Sequence, residues 1–467
     1  MIPGKQNAAG RLGTESIGKL LLKFSIPAIT GMVVNALYNF VDRIFIGHAV
    51  NEIALGGLSL VFPLMTIGMA FAMLFGIGAA NMISMRLGQG RKEEAENALD
   101  HCFFLLIGAG LLMTILGLVF LDPILSLMGA AKGSEALGYA REYFRITLYG
   151  SVFFLVSFGL SHCTRAQGFP AVTMVGMILG AVLNIIFDAI FILWFKWGVQ
   201  GAAWATIVAQ SASTAYILRF ILSKKAVVRL NFKMLKPDPL IVTQIMAFGS
   251  AQFLLQFLMS IVQLLSNKSA GWYGEAALGV ENGGDVALSG MSIIGAILML
   301  ILMPVFGINQ GAQPILGYNY GAKLYRRVLR AYIGAIAAAT SICILGFAVV
   351  QIFPVQLVRL FAPDGSEALM QFAPRAMQLM LMLLPLAGFQ IVSTNFFVVT
   401  GRPKVSIFLS MFRYCVALIP CILIFGRIWG LWGVIAATPV ADAFLFLVTA
   451  VLILFELRKL RRQYLTG

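Results

Sequence analysis

Charge is what this sequence has least of. Only 11% of its 467 residues are Asp, Glu, Lys or Arg, while 60% are apolar. An ordinary soluble domain carries about 25% charged residues. A soluble fold this apolar would have to expose large apolar patches and would aggregate, so a soluble globular chain is excluded. Histidine is also scarce: His48, His101 and His162 are the only three. They form no cluster, which argues against a membrane-embedded transferase, and the chain is read as a non-enzyme. The five cysteines (Cys102, Cys163, Cys343, Cys415 and Cys421) form no CxxC and no paired spacing. That excludes a disulfide framework or a thiolate metal site and leaves packing as their role. Residues 1–16 are polar, and no short apolar core with a small-residue cleavage pattern follows. The first apolar segment is therefore expected to stay in the mature protein.

What charge there is falls between long apolar runs. Charge-free stretches cover 24–41, 53–85, 101–121, 146–164, 166–187 and 197–218 in the first half of the chain. The second half has 239–267, 286–322, 331–358 and 376–401, then 405–426 and 428–455, each of the last two broken once, by Arg413 and by Asp442. These are spans 1 to 12. A bilayer crossing needs roughly 17–25 apolar residues, and only helices or closed barrels satisfy their backbone in lipid. Barrel strands alternate polar and apolar residues; a run such as 341–350, SICILGFAVV, does not. The expected fold is an all-α integral membrane protein of twelve transmembrane helices.

The basic residues set the orientation. With the N-terminus in the cytoplasm, twenty-five of the 34 Lys and Arg fall on the inner side and nine on the outer. That bias predicts a multi-pass protein of the inner (plasma) membrane with both termini cytoplasmic. It also accounts for the net charge of +15 without nucleic acid, because topogenic basic loops face anionic lipid.

The chain repeats itself. Phe75-Gly76-Ile77 recurs as Phe306-Gly307-Ile308, and Gly90 and Lys92 as Gly321 and Lys323. Gln167-Gly168-Phe169-Pro170 corresponds to Thr400-Gly401-Arg402-Pro403, and Trp197-Gly198-x-x-Gly201 to Trp429-Gly430-x-x-Gly433. Six spans per half is an even number, so both halves enter the membrane from the same side. The expectation is two six-helix lobes related by a pseudo-two-fold along the membrane normal, the plan of many secondary transporters. The lobes are assigned to residues 1–222 and 240–467, joined by a basic cytoplasmic linker at 223–239.

Ionisable groups inside a membrane are costly and usually functional. Three carboxylates lie in spans: Asp42, Asp188 and Asp442. Asn35, Tyr38, Asn39 and Asp42 share one helical face of span 1, as Asn184 and Asp188 do on span 5. Spans 1 and 5 both run outward and span 6 starts outside, so Asp42, Asp188, Asn184 and Thr206 reach one depth. Two carboxyls, an amide and a hydroxyl there can form a proton or cation site. Asp442 stands alone in span 12 with no matched partner, and Arg413 is close enough to the inner surface to snorkel. The 22 Met and 36 Phe fit an adaptable apolar cavity.

Several stretches resemble the multidrug and toxic compound extrusion (MATE) transporters. They include Leu37-Tyr-Asn-Phe-Val-Asp42-Arg-Ile-Phe-Ile-Gly47, Arg86-Leu-Gly-Gln-Gly-Arg-Lys92, Arg165-Ala-Gln-Gly-Phe-Pro170 and Asn184-Ile-Ile-Phe-Asp188 with Gly201-Ala-Ala-Trp-Ala-Thr206. In the second half the similar stretches are Gln310-Gly-Ala-Gln-Pro314, Gly317-Tyr-Asn-Tyr-Gly321 and Thr400-Gly-Arg-Pro403. The resemblance implies an antiporter that expels organic cations and drugs in exchange for H⁺ or Na⁺ by alternating access. It carries the ion site onto Asp42, Asn184, Asp188 and Thr206, with Pro27 at the family's first-helix bend. Some branches have acidic residues in spans 7, 8 or 10. Here span 7 offers Gln252, Gln256, Gln263 and Asn267, and span 10 offers Gln390, Ser393 and Asn395. Gln252, Gln256, Gln390 and Asn395 are taken as substrate contacts.

No cofactor and no bound metal is expected beyond the coupling ion, H⁺ or Na⁺. The expected partners are small-molecule drugs and organic cations, with the lipid bilayer around a monomer. The nearest rival, a lipid-linked oligosaccharide flippase of the same wider superfamily, should line its cavity with Lys and Arg for a pyrophosphate. The central spans here are nearly free of both.

Overall fold

The computed structural model describes residues 8–49, 52–127, 135–232, 238–280, 283–363 and 366–466. Among them there are helices and no strand, as an apolar chain in lipid requires. Span 1 is Ile17–Ala49, span 2 Glu52–Gly88, span 3 Lys92–Val119 and span 6 Gly198–Leu222. Span 7 is Pro239–Leu278, span 8 Gly283–Gly321 and span 9 Tyr325–Ile352. Spans 4 and 10 are each broken in two: Leu137–Tyr149 with Ser151–Ala166 at 58°, and Glu367–Met380 with Leu384–Val399 at 47°. Span 5 is an α-helix, Pro170–Asp188, that widens into a π-helical turn, Ala189–Trp194. Span 11 starts as Pro403–Met411 and passes through a longer π-helical segment, Phe412–Leu418. The helix Ile419–Thr466 then breaks at Gly430, which has φ 59°. That break separates spans 11 and 12 and completes twelve spans among the described residues.

The repeat read from the sequence returns in the backbone. Pro170 and Pro403 each occupy the first turn of their helix, where a missing N–H costs nothing and the fixed φ favours helix. Ser151–Ala166 and Leu384–Val399 are the same length and start 233 residues apart. Gly198 and Gly430, 232 residues apart, both adopt the left-handed region, with φ of 57° and 59°. Only glycine enters that region without a Cβ penalty, so the same tight turn opens spans 6 and 12.

The described chain divides into two compact units. Unit one is Met1–Gln256 with Gln313–Leu324, and unit two is Phe257–Ala312 with Tyr325–Gly467. In unit one, spans 2, 3 and 4 pack through Ala79, Ala80, Ile83, Leu99, Leu106, Leu155 and Leu160, all buried. Helices approach closely where glycine permits it: a Cβ on Gly76 would lie 2.5 Å from the Gly159 Cα, and one on Gly249 only 1.7 Å from the Leu74 carbonyl oxygen. Small residues are how membrane helices come into backbone contact when lipid supplies no hydrophobic drive. In the same unit Gln313 Nε2 donates to Asn81 Oδ1 at 2.7 Å, both side chains buried. Span 5 packs against spans 1 and 6, and that three-helix contact carries the site described next.

Candidate functional site

Span 5 supplies the centre of the site. Asn184 and Asp188 are one helical turn apart on its buried face, 1% and 0% exposed. Asp188 is the last residue before the π-helical turn, a wide turn often found at functional positions. Neither Asp188 oxygen has a hydrogen-bond partner among the described residues. A carboxylate buried without donors is strongly unfavourable unless a cation joins it. Asp42, on span 1, is also buried, and span 1 packs against span 5. On the other side, Asn184 donates Nδ2 to Thr206 Oγ1 at 3.4 Å, and its own Oδ1 is left without a partner. The four residues placed at one depth from the sequence are thus gathered by spans 1, 5 and 6.

The remaining candidates fall into three groups. Pro27 sits half-buried inside the continuous helix of span 1, where it removes a helical hydrogen bond and prepares a bend. The side chains of Asn35, Tyr38 and Asn39 lie outside the described residues. Of the amides assigned to substrate, Gln252 and Gln256 are half-buried in unit one, while Gln390 and Asn395 are buried in unit two. Gln390 is engaged within the protein: its Nε2 donates to the Asp442 backbone carbonyl at 2.7 Å.

Sequence reasoning missed a cavity. Next to Asn184 and Thr206, between spans 4, 5 and 6, lies a cavity of about 100 Å³. Its polar lining adds Ser157, Ser161, Gln210 and Ser213 to those two, with Phe154, Phe158 and Met177 on its apolar side. Ser157 and Ser213 hydroxyls meet at 3.0 Å, and Ser213 also donates to the Gly176 carbonyl at 3.0 Å. At about 30 Å³ per water, that space holds roughly three waters. Single serines and one glutamine give no periodic signal, so only packing reveals them as a group.

The sequence reading of Asp442 and Arg413 is corrected. Arg413 Nε donates to Asp442 Oδ1 at 3.1 Å, and Nη2 lies 2.9 Å from the same oxygen. Arg413 Nη1 donates to the Tyr414 hydroxyl at 3.3 Å. Arg413 does not snorkel, because the tenth residue after Pro403 stands about 15 Å along its helix. Asp442 is not alone, because its carboxylate on span 12 meets Arg413 in the π-helical part of span 11.

The comparisons with known proteins agree with this architecture. The MatE family model matches residues 27–190 and 251–423. The multidrug export protein MepA of Staphylococcus aureus (strain MRSA252) is 27% identical over 444 residues, covering 94% of each chain. The solved outward-facing structure of a multidrug resistance MATE family transporter of the MOP superfamily has a TM-score of 0.89 at 26% identity, covering 98% of this chain and 100% of that one. A MOP superfamily transporter from Pyrococcus furiosus, described as having a binding pocket of reverse polarity that suggests a different function, has a TM-score of 0.90 at 26% identity, covering 98% and 100%.

Proposed function

The chain belongs to the MatE family, and from that premise we propose that it is a secondary active multidrug exporter, moving organic cations and drugs out of the cell in exchange for H⁺ or Na⁺ by alternating access. The observation that carries the coupling is Asp188: fully buried, without a hydrogen-bond donor among the described residues, on a span packed against the one that carries buried Asp42. Two buried carboxyls on packed spans favour uptake of a cation. Asn184 Oδ1 and Thr206 Oγ1 add neutral oxygen ligands beside them. A proton or Na⁺ arriving from outside then removes one of the pair's negative charges, and its passage inward down the gradient drives the substrate outward. The membrane potential supplies about 2.3 kcal/mol per charge per 100 mV.

The N-terminal half, residues 1–222, then handles the ion, and the half from 240 to 467 shapes the substrate path around Gln390 and Asn395. Both termini face the cytoplasm in the plasma membrane, and a monomer suffices because the whole site lies in one chain. The substrate leaves chemically unchanged.

The test is transport in vesicles reconstituted with purified protein. Ethidium or a fluoroquinolone should move against its gradient when either a pH or a Na⁺ gradient is imposed, each tried separately. Absence of drug movement under both gradients, with movement of a lipid-linked oligosaccharide, would assign the chain to the flippase class instead.

A further inference from the structure

The cavity in unit one and the ion pair in unit two occupy the same places in the repeat. With the register fixed by Pro170 and Pro403, 233 residues apart, Ser157 corresponds to Gln390 and Gly180 to Arg413. With the register fixed by Gly198 and Gly430, 232 apart, Gln210 corresponds to Asp442. In unit one, Ser157, Gly180 and Gln210 all line the open cavity. In unit two their counterparts bond to one another: Arg413 to the Asp442 carboxylate, and Gln390 to the Asp442 carbonyl. At Gly180 a Cβ would meet nothing closer than the Ser213 Cβ at 3.6 Å. Gly180 thus presents no side chain to the cavity, while unit two grows a long cationic one from the same position.

We propose that Arg413 is a tethered cation: its guanidinium fills a cation site, built from the Asp442 carboxylate and the Tyr414 hydroxyl, that would otherwise take a mobile guanidinium-type ligand. The guanidinium suits the place geometrically, because two of its nitrogens converge on Asp442 Oδ1 and a third reaches the Tyr414 hydroxyl. The π-helical segment Phe412–Leu418 begins one residue before Arg413, so the guanidinium leaves the helix at a widened turn. Chemically, the arrangement closes the second half to exchangeable ions. Asp442 already has its counter-charge and holds it through every cycle, so the exchangeable charge is confined to the first half. The tether itself stands on the unit-two geometry; its consequence for ion exchange rests on the ion-coupled reading proposed above, and the thermal-shift measurement tests the tether apart from it.

The experiment is chemical rescue on the full-length protein in detergent and in vesicles. Arg413→Gly gives the second half the residue of the first and leaves Asp442 without its partner. The Arg413 and Asp442 side chains are half-buried, and removing one member of such a pair leaves the other charge uncompensated, whereas removing both is often neutral. Arg413→Gly should therefore melt at lower temperature, and methylguanidinium at millimolar concentration should raise its Tm saturably. The same additive should leave wild type and Arg413→Gly/Asp442→Asn unshifted. An equal shift with NaCl or urea, or a shift that persists without Asp442, overturns the proposal. So does the absence of any shift. Should Arg413→Gly not be recovered, Arg413→Gln/Asp442→Asn decides: it should fold and keep ion-driven uptake with an unchanged ion requirement. Loss of ion dependence in that double variant would show Asp442 to be an exchangeable site and overturn the proposal.

Discussion

Asn184 and Thr206, on the antiparallel spans 5 and 6, meet through one hydrogen bond at 3.4 Å, and the Asn184 oxygen that this bond leaves free is buried. The bond therefore fixes which end of the amide faces the neighbourhood of Asp188. With Nδ2 committed to Thr206, the oxygen is available to a cation.

Thr206→Val keeps the shape of the side chain and removes the hydroxyl that accepts from Asn184. A neutral hydrogen bond contributes about 1 kcal/mol, so the half-saturating concentration of the coupling ion should rise roughly fivefold while expression stays normal. Initial rates of drug uptake into vesicles, measured against external ion concentration, read this directly. An unchanged ion dependence removes Thr206 from the site.

Asp188→Asn removes the buried charge while keeping its volume. Without an exchangeable charge the gradient cannot be used, and each 100 mV of potential is worth about 2.3 kcal/mol, roughly a 50-fold concentration ratio. Accumulation of drug against its gradient should vanish, while equilibrative exchange of labelled drug continues. Asp42→Asn should give the same result in the same assay. Gradient-driven accumulation that survives both substitutions contradicts ion coupling at this pair.

Gly180 lines the cavity of unit one, where an added Cβ meets only ordinary contacts, the nearest at 3.6 Å. Gly180→Ala should be tolerated in both expression and transport. Gly180→Arg places a long cationic side chain in a space of about 100 Å³ and should abolish transport while membrane insertion is kept. Fluorescence size-exclusion profiles separate that outcome from misfolding.

Gly249 makes a different kind of contact. A Cβ there would lie 1.7 Å from the Leu74 backbone oxygen, and a backbone atom cannot rotate away as a side chain can. Gly249→Ala should cost about 1–3 kcal/mol through forced helix separation and lower the Tm in detergent. Gly108→Ala, where nothing lies within 4 Å, is the matched control and should leave Tm unchanged.

Much of this protein is settled by its sequence. The charge-free runs impose membrane helices, because an unpaired backbone group in lipid is too costly for any other element. The paired prolines and the glycines at 198 and 430 impose the same turns twice, because their backbone preferences are intrinsic to the residue. Asn184 and Thr206, which hydrogen-bond in the structure, were legible as neighbours, because helical periodicity and span direction together fix the height of a side chain in a bilayer.

Lateral position was decided by the tertiary structure alone. Periodicity tells how high Arg413 and Asp442 stand, not which neighbour each faces, and the π-helical segment that accommodates Arg413 has no simple sequence pattern. For the same reason Asp442 read as solitary until span 12 was seen against span 11, where Arg413 Nη2 lies 2.9 Å from its carboxylate. The cavity of unit one is likewise a property of packing. Ser157, Gln210 and Ser213 come from different turns of two spans, and what makes them a group is the cavity they line together between spans 4, 5 and 6.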